Sequence, residues 1–194
     1  MRTRCQRHWA RIAEAGVVVA LAVMAFVHVH HALAAKEGDQ AMAFQLSSPA
    51  FNPGEYIPKK HTGEGPDLSP ALVWSGAPAN TKSFALICDD PDAPMGTWVH
   101  WVMYNIPAAS AGLPENVPKQ RELADGTRQG ITDFKKIGYN GPMPPRGNDH
   151  RYYFKLYALD APLTLSAGAA KGDLIKAMEK HILGQAELMG RYRR

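Results

Sequence analysis

A mainly β fold is predicted by three stretches of this chain. From His150 the residues alternate, with His150, Tyr152, Phe154 and Leu156 on one face and Arg151, Tyr153, Lys155 and Tyr157 on the other. That period of two is what a half-buried strand requires. Trp98 to Asn105 alternates in the same way. Ser83-Phe84-Ala85-Leu86-Ile87-Cys88 is almost continuously apolar, which predicts a strand covered on both faces. The segments between are rich in Gly and Pro. Pro142, Pro144 and Pro145 have no N–H to donate, so residues 138–147 form a stiff loop that feeds the strand beginning at His150.

The other elements follow in chain order. Phe44-Gln45-Leu46 opens the folded part, and residues 51–67 form a loop studded with Gly and Pro. Ser69-Pro70-Ala71-Leu72-Val73-Trp74 reads as a short strand after a proline entry. Residues 108–132 form a loop long enough to flag function or mobility. Helical spacing is found near the C-terminus, where Leu174, Ile175, Met178 and Ile182 share one face of a short helix beginning near Gly172. Gly184 is expected to end it, since glycine inside a helix costs roughly 1 kcal/mol relative to alanine. Residues 185–192 are then a last strand. Trp74, Trp98 and Trp101 are expected as core or rim aromatics rather than stacking platforms, and Tyr139, at the loop entrance, as either.

At 194 residues the chain supports one domain with a real core. Residues 1–34 are set apart from it. Arg2, Arg4, Arg7 and Arg11 make a basic start, residues 16–27 are apolar or small, and Ala32-Leu33-Ala34 is a small-x-small cleavage site. This is the layout of a secretory signal peptide, which leaves residues 35–194 as a single domain in the periplasm or outside the cell. The apolar run is short for a bilayer span, so a retained transmembrane anchor is the lesser alternative, and no stable membrane insertion is expected after cleavage. His28, His30 and His31 would leave with the segment.

Cleavage also resets the charge. The formal excess of +4 loses four arginines and Glu14, which brings it to +1. A nucleic-acid partner is therefore not expected. Cys5 leaves too, so Cys88 stands alone and no intrachain disulfide can form.

Two proline-stiffened turns each lead into a strand carrying a histidine. Asp89-Asp90-Pro91-Asp92-Ala93-Pro94 precedes His100-Trp101, and Gly141-Pro142-Met143-Pro144-Pro145-Arg146-Gly147 precedes His150-Arg151-Tyr152. Loop–strand junctions are where sites tend to be built. Together these motifs resemble the phosphatidylethanolamine-binding protein family, in particular its bacterial, Raf-kinase-inhibitor-like branch, from about Phe44 to the C-terminus. The resemblance implies an antiparallel β-sandwich with Asp90, Asp92, His100, Met143, His150 and Tyr152 at a small anion-binding cavity. Met143 stands where animal relatives have glycine. Bacterial relatives often carry cysteines where this chain has Gly63 and Met143, so their bridge does not transfer.

The chemistry of these residues fits an oxyanion. Imidazole and phenol supply donors, and a cationic histidine strengthens the bond. Asp90 is expected to orient a histidine, Asp92 either to join the site or to cap the turn, and Arg151 to pair with an acid on the outer face. The function expected is an exported binding or regulatory protein for phosphate-like or phosphorylated groups. The alternatives are an inhibitor of a serine peptidase or kinase-type enzyme, and a hydrolase using the His/Asp pocket. No Gly-x-Ser-x-Gly elbow or His-Glu-x-x-His motif occurs in the sequence. No cofactor, metal or catalytic residue is assigned.

Overall fold

The computed structural model describes residues 43–194, so the export signal read at residues 1–34 lies outside the described residues. Two antiparallel sheets pack face to face. The smaller consists of β1 (Gln45–Ser47), β2 (Leu72–Ser75) and β5 (Gly112–Leu113), in that order across the sheet. The larger uses β3 (Ser83–Asp90), β4 (Trp98–Pro107), β6 (Arg128–Gln129), β7 (His150–Leu159) and β8 (Ile182–Tyr192). Its spatial order is β6-β4-β3-β7-β8. A helix, α1 (Lys171–Met178), completes the described elements together with a 3-10 turn at Lys59–His61.

The larger sheet is the middle layer, and that explains the apolar run of residues 83–88. On one face Phe84, Leu86 and Cys88 pack with Trp101, Phe154 and Leu156 against Leu46, Leu72 and Trp74 of the smaller sheet. On the other face Ala85 and Ile87 pack with Val102 and Tyr104 against Leu174 and Met178 of α1. All eight residues of β3 are buried, since the strand lies between β4 and β7 and both of its faces are covered. Cys88 is buried here, and burial pushes its thiol well up, so it is a packing group.

The C-terminal helix is shorter than its spacing predicts. It stops at Met178, and the His181 N–H bonds the Met178 carbonyl in the turn that follows. Ile182 belongs to β8, opposite Leu159, and Ile175 is half exposed. The apolar face of α1 is therefore Leu174 and Met178. Gly184 does not end the helix; it lies inside β8 opposite Ala158. A Cβ there would stand 2.8 Å from the Pro78 ring, so glycine is required by close packing.

The long segment 108–132 is pinned from within. The buried Gln129 side chain accepts from Trp101 Nε1–H at 2.9 Å and donates to the carbonyls of Pro118 (2.6 Å) and Gln120 (2.8 Å). Ser69 Oγ takes the Val117 N–H at 2.9 Å. One buried amide thus fastens two passes of the loop to the core tryptophan, a connection that has no periodicity to reveal it.

The loop at residues 141–147 lies close against the segment after the 3-10 turn. A Cβ on Gly141 would come within 2.4 Å of the His61 carbonyl, and a Cβ on Gly63 would lie 3.0 Å from Met143 Cβ. The Gly63 N–H also bonds the Pro142 carbonyl at 2.9 Å. Disulfides want about 3.8 Å between Cβ atoms, so a sub-ångström opening suffices for a bridge. The double variant Gly63→Cys, Met143→Cys is predicted to oxidise to a bridge that stabilises the fold by about 2–4 kcal/mol. Melting with and without reductant reads it: wild type should show one midpoint in both conditions, and the variant a higher midpoint only when oxidised.

Candidate functional site

The ends of β3, β4 and β7 converge at one end of the larger sheet. Asp90 is the last residue of β3, His100 lies early in β4, and His150 and Tyr152 start β7. Alternation sends Asp90 and Tyr152 to the face shared with the smaller sheet, and His150 with them. His100 reaches the same place through a β-bulge. Cys88 pairs with Trp101 and Asp89 with Val99, which leaves His100 as the extra residue in β4. A bulge re-aims a side chain, and here it turns an imidazole onto the ring of Tyr152, with centroids 5.1 Å apart.

These residues form the polar floor of a cavity of about 350 Å³. Its wall is apolar, built from Pro94 and Met95 of the first turn, Trp98, Phe134, and Met143 with Pro144 and Pro145 of the second loop. Trp98 meets Phe134 edge-on at 5.6 Å, and Phe134 meets His100 at 5.2 Å. Met95 and Met143 are exposed at the rim.

The floor is ordered by hydrogen bonds that run inward. His100 Nδ1–H donates to the Asn140 carbonyl at 2.6 Å, and His150 Nδ1–H to Asp90 Oδ2 at 2.7 Å. Asp90 Oδ1 accepts the Asp92 N–H at 2.8 Å, so the cap of the turn is Asp90 and not Asp92. The Tyr152 hydroxyl is buried and has no hydrogen-bond partner within 3.5 Å among the described residues, with Asp90 as its charged neighbour. Neither Nε2 of His100 nor that of His150 has a protein partner among the described residues.

Asp92, expected either in the site or as the turn's cap, does neither. Arg151 alternates away from His150 and Tyr152, and its guanidinium holds Asp92 through two bonds of 2.9 and 2.8 Å. The Arg151 backbone N–H adds a third at 2.9 Å. Arg151 draws the carboxylate outward, where it lines a separate polar depression with Asp149 and Arg191. Asp90, His100, Met143, His150 and Tyr152 all line the cavity. The Gly141 N–H is taken by Asp67 Oδ1 at 2.6 Å.

Comparison with known proteins decides the lineage. The profile of the phosphatidylethanolamine-binding protein family matches residues 47–193. The chain belongs to this family. A UPF0098 protein of Methanothermobacter thermautotrophicus is 54% identical over 149 residues, covering 77% of this chain and 98% of that one. Among solved structures, a phosphatidylethanolamine-binding protein homologue from Chlamydia trachomatis superposes with a TM-score of 0.72 at 41% identity, over 78% of this chain and 98% of its own. E. coli YbcL, a member of the mammalian family, gives the same TM-score at 34% identity, with the same coverage of each chain.

Within this family member, the electrostatics of the floor follow from burial. Burial pushes the His100 pKa down, outweighing its bond to Asn140 and the nearby charges of Asp90, Asp67 and Asp133. Burial likewise raises the Tyr152 hydroxyl, with Asp90 adding to it, so the phenol stays protonated as a donor. Arg151 holds the Asp92 carboxylate below its ordinary range. Among the described residues no group of three His, Cys, Asp or Glu side chains is arranged to hold a metal ion. Three wall or support residues escaped the sequence reading. Phe134 and Asn140 come from a loop with no periodicity, and Met95 from the tip of the first turn. The spacing of Asn140 just ahead of the Pro-rich run was the available signal for one of them.

A second buried histidine shares the fate of His100. His61 Nδ1–H donates to the Leu68 carbonyl at 2.9 Å, and burial lowers its pKa from 6.5. Both groups bind protons less readily folded than unfolded. Stability therefore falls as pH drops below about 6.5, by at most about 1.4 kcal/mol per pH unit for each histidine, and levels off below their folded values. Urea unfolding at pH 7.5, 6.5 and 5.5 should show this slope, reduced in His61→Gln. A profile unaltered by that substitution would remove His61 from the account.

Proposed function

We propose that this family member is an exported binding protein that takes a small phosphate-like group, carried on an apolar remainder, in the cavity at the end of the sandwich. One observation supports the reading above the others: the Tyr152 hydroxyl is buried, without a hydrogen-bond partner among the described residues, and belongs to the cavity floor, its ring edge-on to His100. A buried polar group without a partner costs about 1–3 kcal/mol, and an oxygen that accepts its proton recovers that. Oxyanions supply such oxygens. Asp90 fixes His150 through Nδ1, so the ring is oriented before any ligand arrives. The rim of Trp98, Phe134, Met95 and Met143 favours a ligand whose remainder is apolar. Export rests on the basic start, apolar run and Ala32-Leu33-Ala34 of the leader.

Calorimetry with inorganic phosphate on the purified protein tests the cavity. Wild type should bind, and Tyr152→Phe and His150→Ala should each weaken binding by on the order of fivefold or more. Affinity unchanged in both variants would exclude this cavity as the anion site. Export has its own test. The intact mass of secreted protein should start at Ala35, and a membrane-bound product that retains Arg2 would contradict it.

A further inference from the structure

Hydrogen-bond directions at the floor of the cavity restrict what can sit there. The Asn140 carbonyl can only accept, so the proton it shares with His100 belongs to Nδ1. The Asp90 carboxylate is likewise an acceptor, which puts the proton of that pair on His150 Nδ1. A neutral imidazole has one N–H, and in both rings it is spent inward. Each neutral ring therefore turns an Nε2 lone pair to the cavity, beside the Asp90 carboxylate. Against these acceptors the floor sets one buried side-chain donor that has no partner within 3.5 Å among the described residues, the Tyr152 hydroxyl. A fully ionised tetrahedral anion has acceptors alone, so it can satisfy Tyr152 but meets lone pairs at both imidazoles and at Asp90. An ammonium group does the reverse and leaves Tyr152 unpaired.

We propose that the cavity selects a phosphoryl group that keeps one proton, a hydrogen phosphate or the monoanion of a phosphate monoester, over fully ionised sulfate and over a phosphodiester. This rests on reading the cavity as an anion site. The P–O–H donates to an Nε2 lone pair while another oxygen accepts from Tyr152, and both demands of the floor are met together. The competing route is to charge the histidines. His150 has Asp90 against Nδ1, with Asp92, Arg151 and Arg191 nearby on the outer side. Even with His150 cationic, His100 still presents a lone pair. Charging His100 as well means placing a cation at a buried ring, where Asp90, Asp67 and Asp133 offset burial only in part. A proton brought by the ligand avoids that step. A diester has no O–H at any pH, so the same discrimination separates the monoanion of a terminal phosphate, populated below its second pKa of about 6, from the phosphate linkage inside a phospholipid.

Calorimetry at pH 7.5 with inorganic phosphate, sulfate and dimethyl phosphate decides it, run in two buffers of different ionisation enthalpy to count protons. Phosphate retains an O–H at this pH and should bind at least about tenfold more tightly than either of the others. Sulfate binding should take up a proton and strengthen towards pH 5.5. Equal affinity for phosphate and sulfate with no proton uptake overturns the selectivity while leaving the anion site standing. Failure of all three to bind overturns the anion reading itself. In His100→Gln an amide N–H can stand near the place of the lone pair, and the phosphate-to-sulfate ratio should narrow to about threefold or less. A purely structural role for His100 would instead weaken both ligands alike and keep the ratio.

Discussion

Two adjacent carboxylates end the central strand of the larger sheet, and both are buried: Asp89 is 1% exposed and Asp90 3%. Ionised groups in such places must be paired, or the cost of desolvation runs to several kcal/mol per charge. Strand alternation sends the two to opposite faces, so each needs its own partners. Asp89 meets Lys155 of β7 at 3.1 Å and Lys171 at the start of α1 at 2.5 Å. Asp90 meets His150 of β7 and the N–H of Asp92 in the turn. One pair of neighbouring residues thus fastens the helix to the back of the sheet and the histidine to the front. The docking of α1 and the order of the cavity floor are two answers to the same constraint.

The third acid of the run shows how much the surroundings decide. Asp92 has the same side chain as Asp90, two residues on, yet its partner is a guanidinium on the outer face. Its pair with Arg151 is partly exposed, and such pairs contribute little to stability in water. What the clamp does is geometric. It joins the first turn to the entry of β7, the two segments that must stay together for Asp90 to reach His150.

Much of this was legible in the sequence, and the failures have physical causes. Alternation at residues 150–157 and the apolar run at 83–88 report burial directly, so β3 and β7 appear where the pattern puts them. The motifs carried the floor residues, since each lies at a strand terminus next to a proline-stiffened turn. The helix was overextended because Ile182 is apolar at helical spacing, although it pairs with Leu159 in a strand and is half exposed. Gly184 misled for a related reason. Its lack of a side chain answers to the ring of Pro78, a contact from more than a hundred residues away that no local pattern encodes. Segment 108–132 looked loose because the amide that orders it, Gln129, works through carbonyls and one indole N–H. Hydrogen-bond direction was the least legible property. Which nitrogen of His100 faces the cavity depends on Asn140, forty residues distant.

Floor and rim divide the work of recognition between them. The floor is rigid: both imidazoles are held at Nδ1, His100 sits edge-on to Tyr152, and all three rings are buried. The rim is the opposite, with Met95 and Met143 exposed and Phe134 partly so. Methionine is unbranched and polarizable, and it can repack around apolar shapes at small cost. Where a cysteine bridge would pin the loop at residue 143 to Gly63, this chain has a flexible thioether packed against glycine. Discrimination at the floor is by hydrogen-bond sense, which tolerates no substitution of donor for acceptor, since a buried group left unpaired loses far more than an apolar contact poorly made. A site built this way is strict about the head of its ligand and permissive about the remainder.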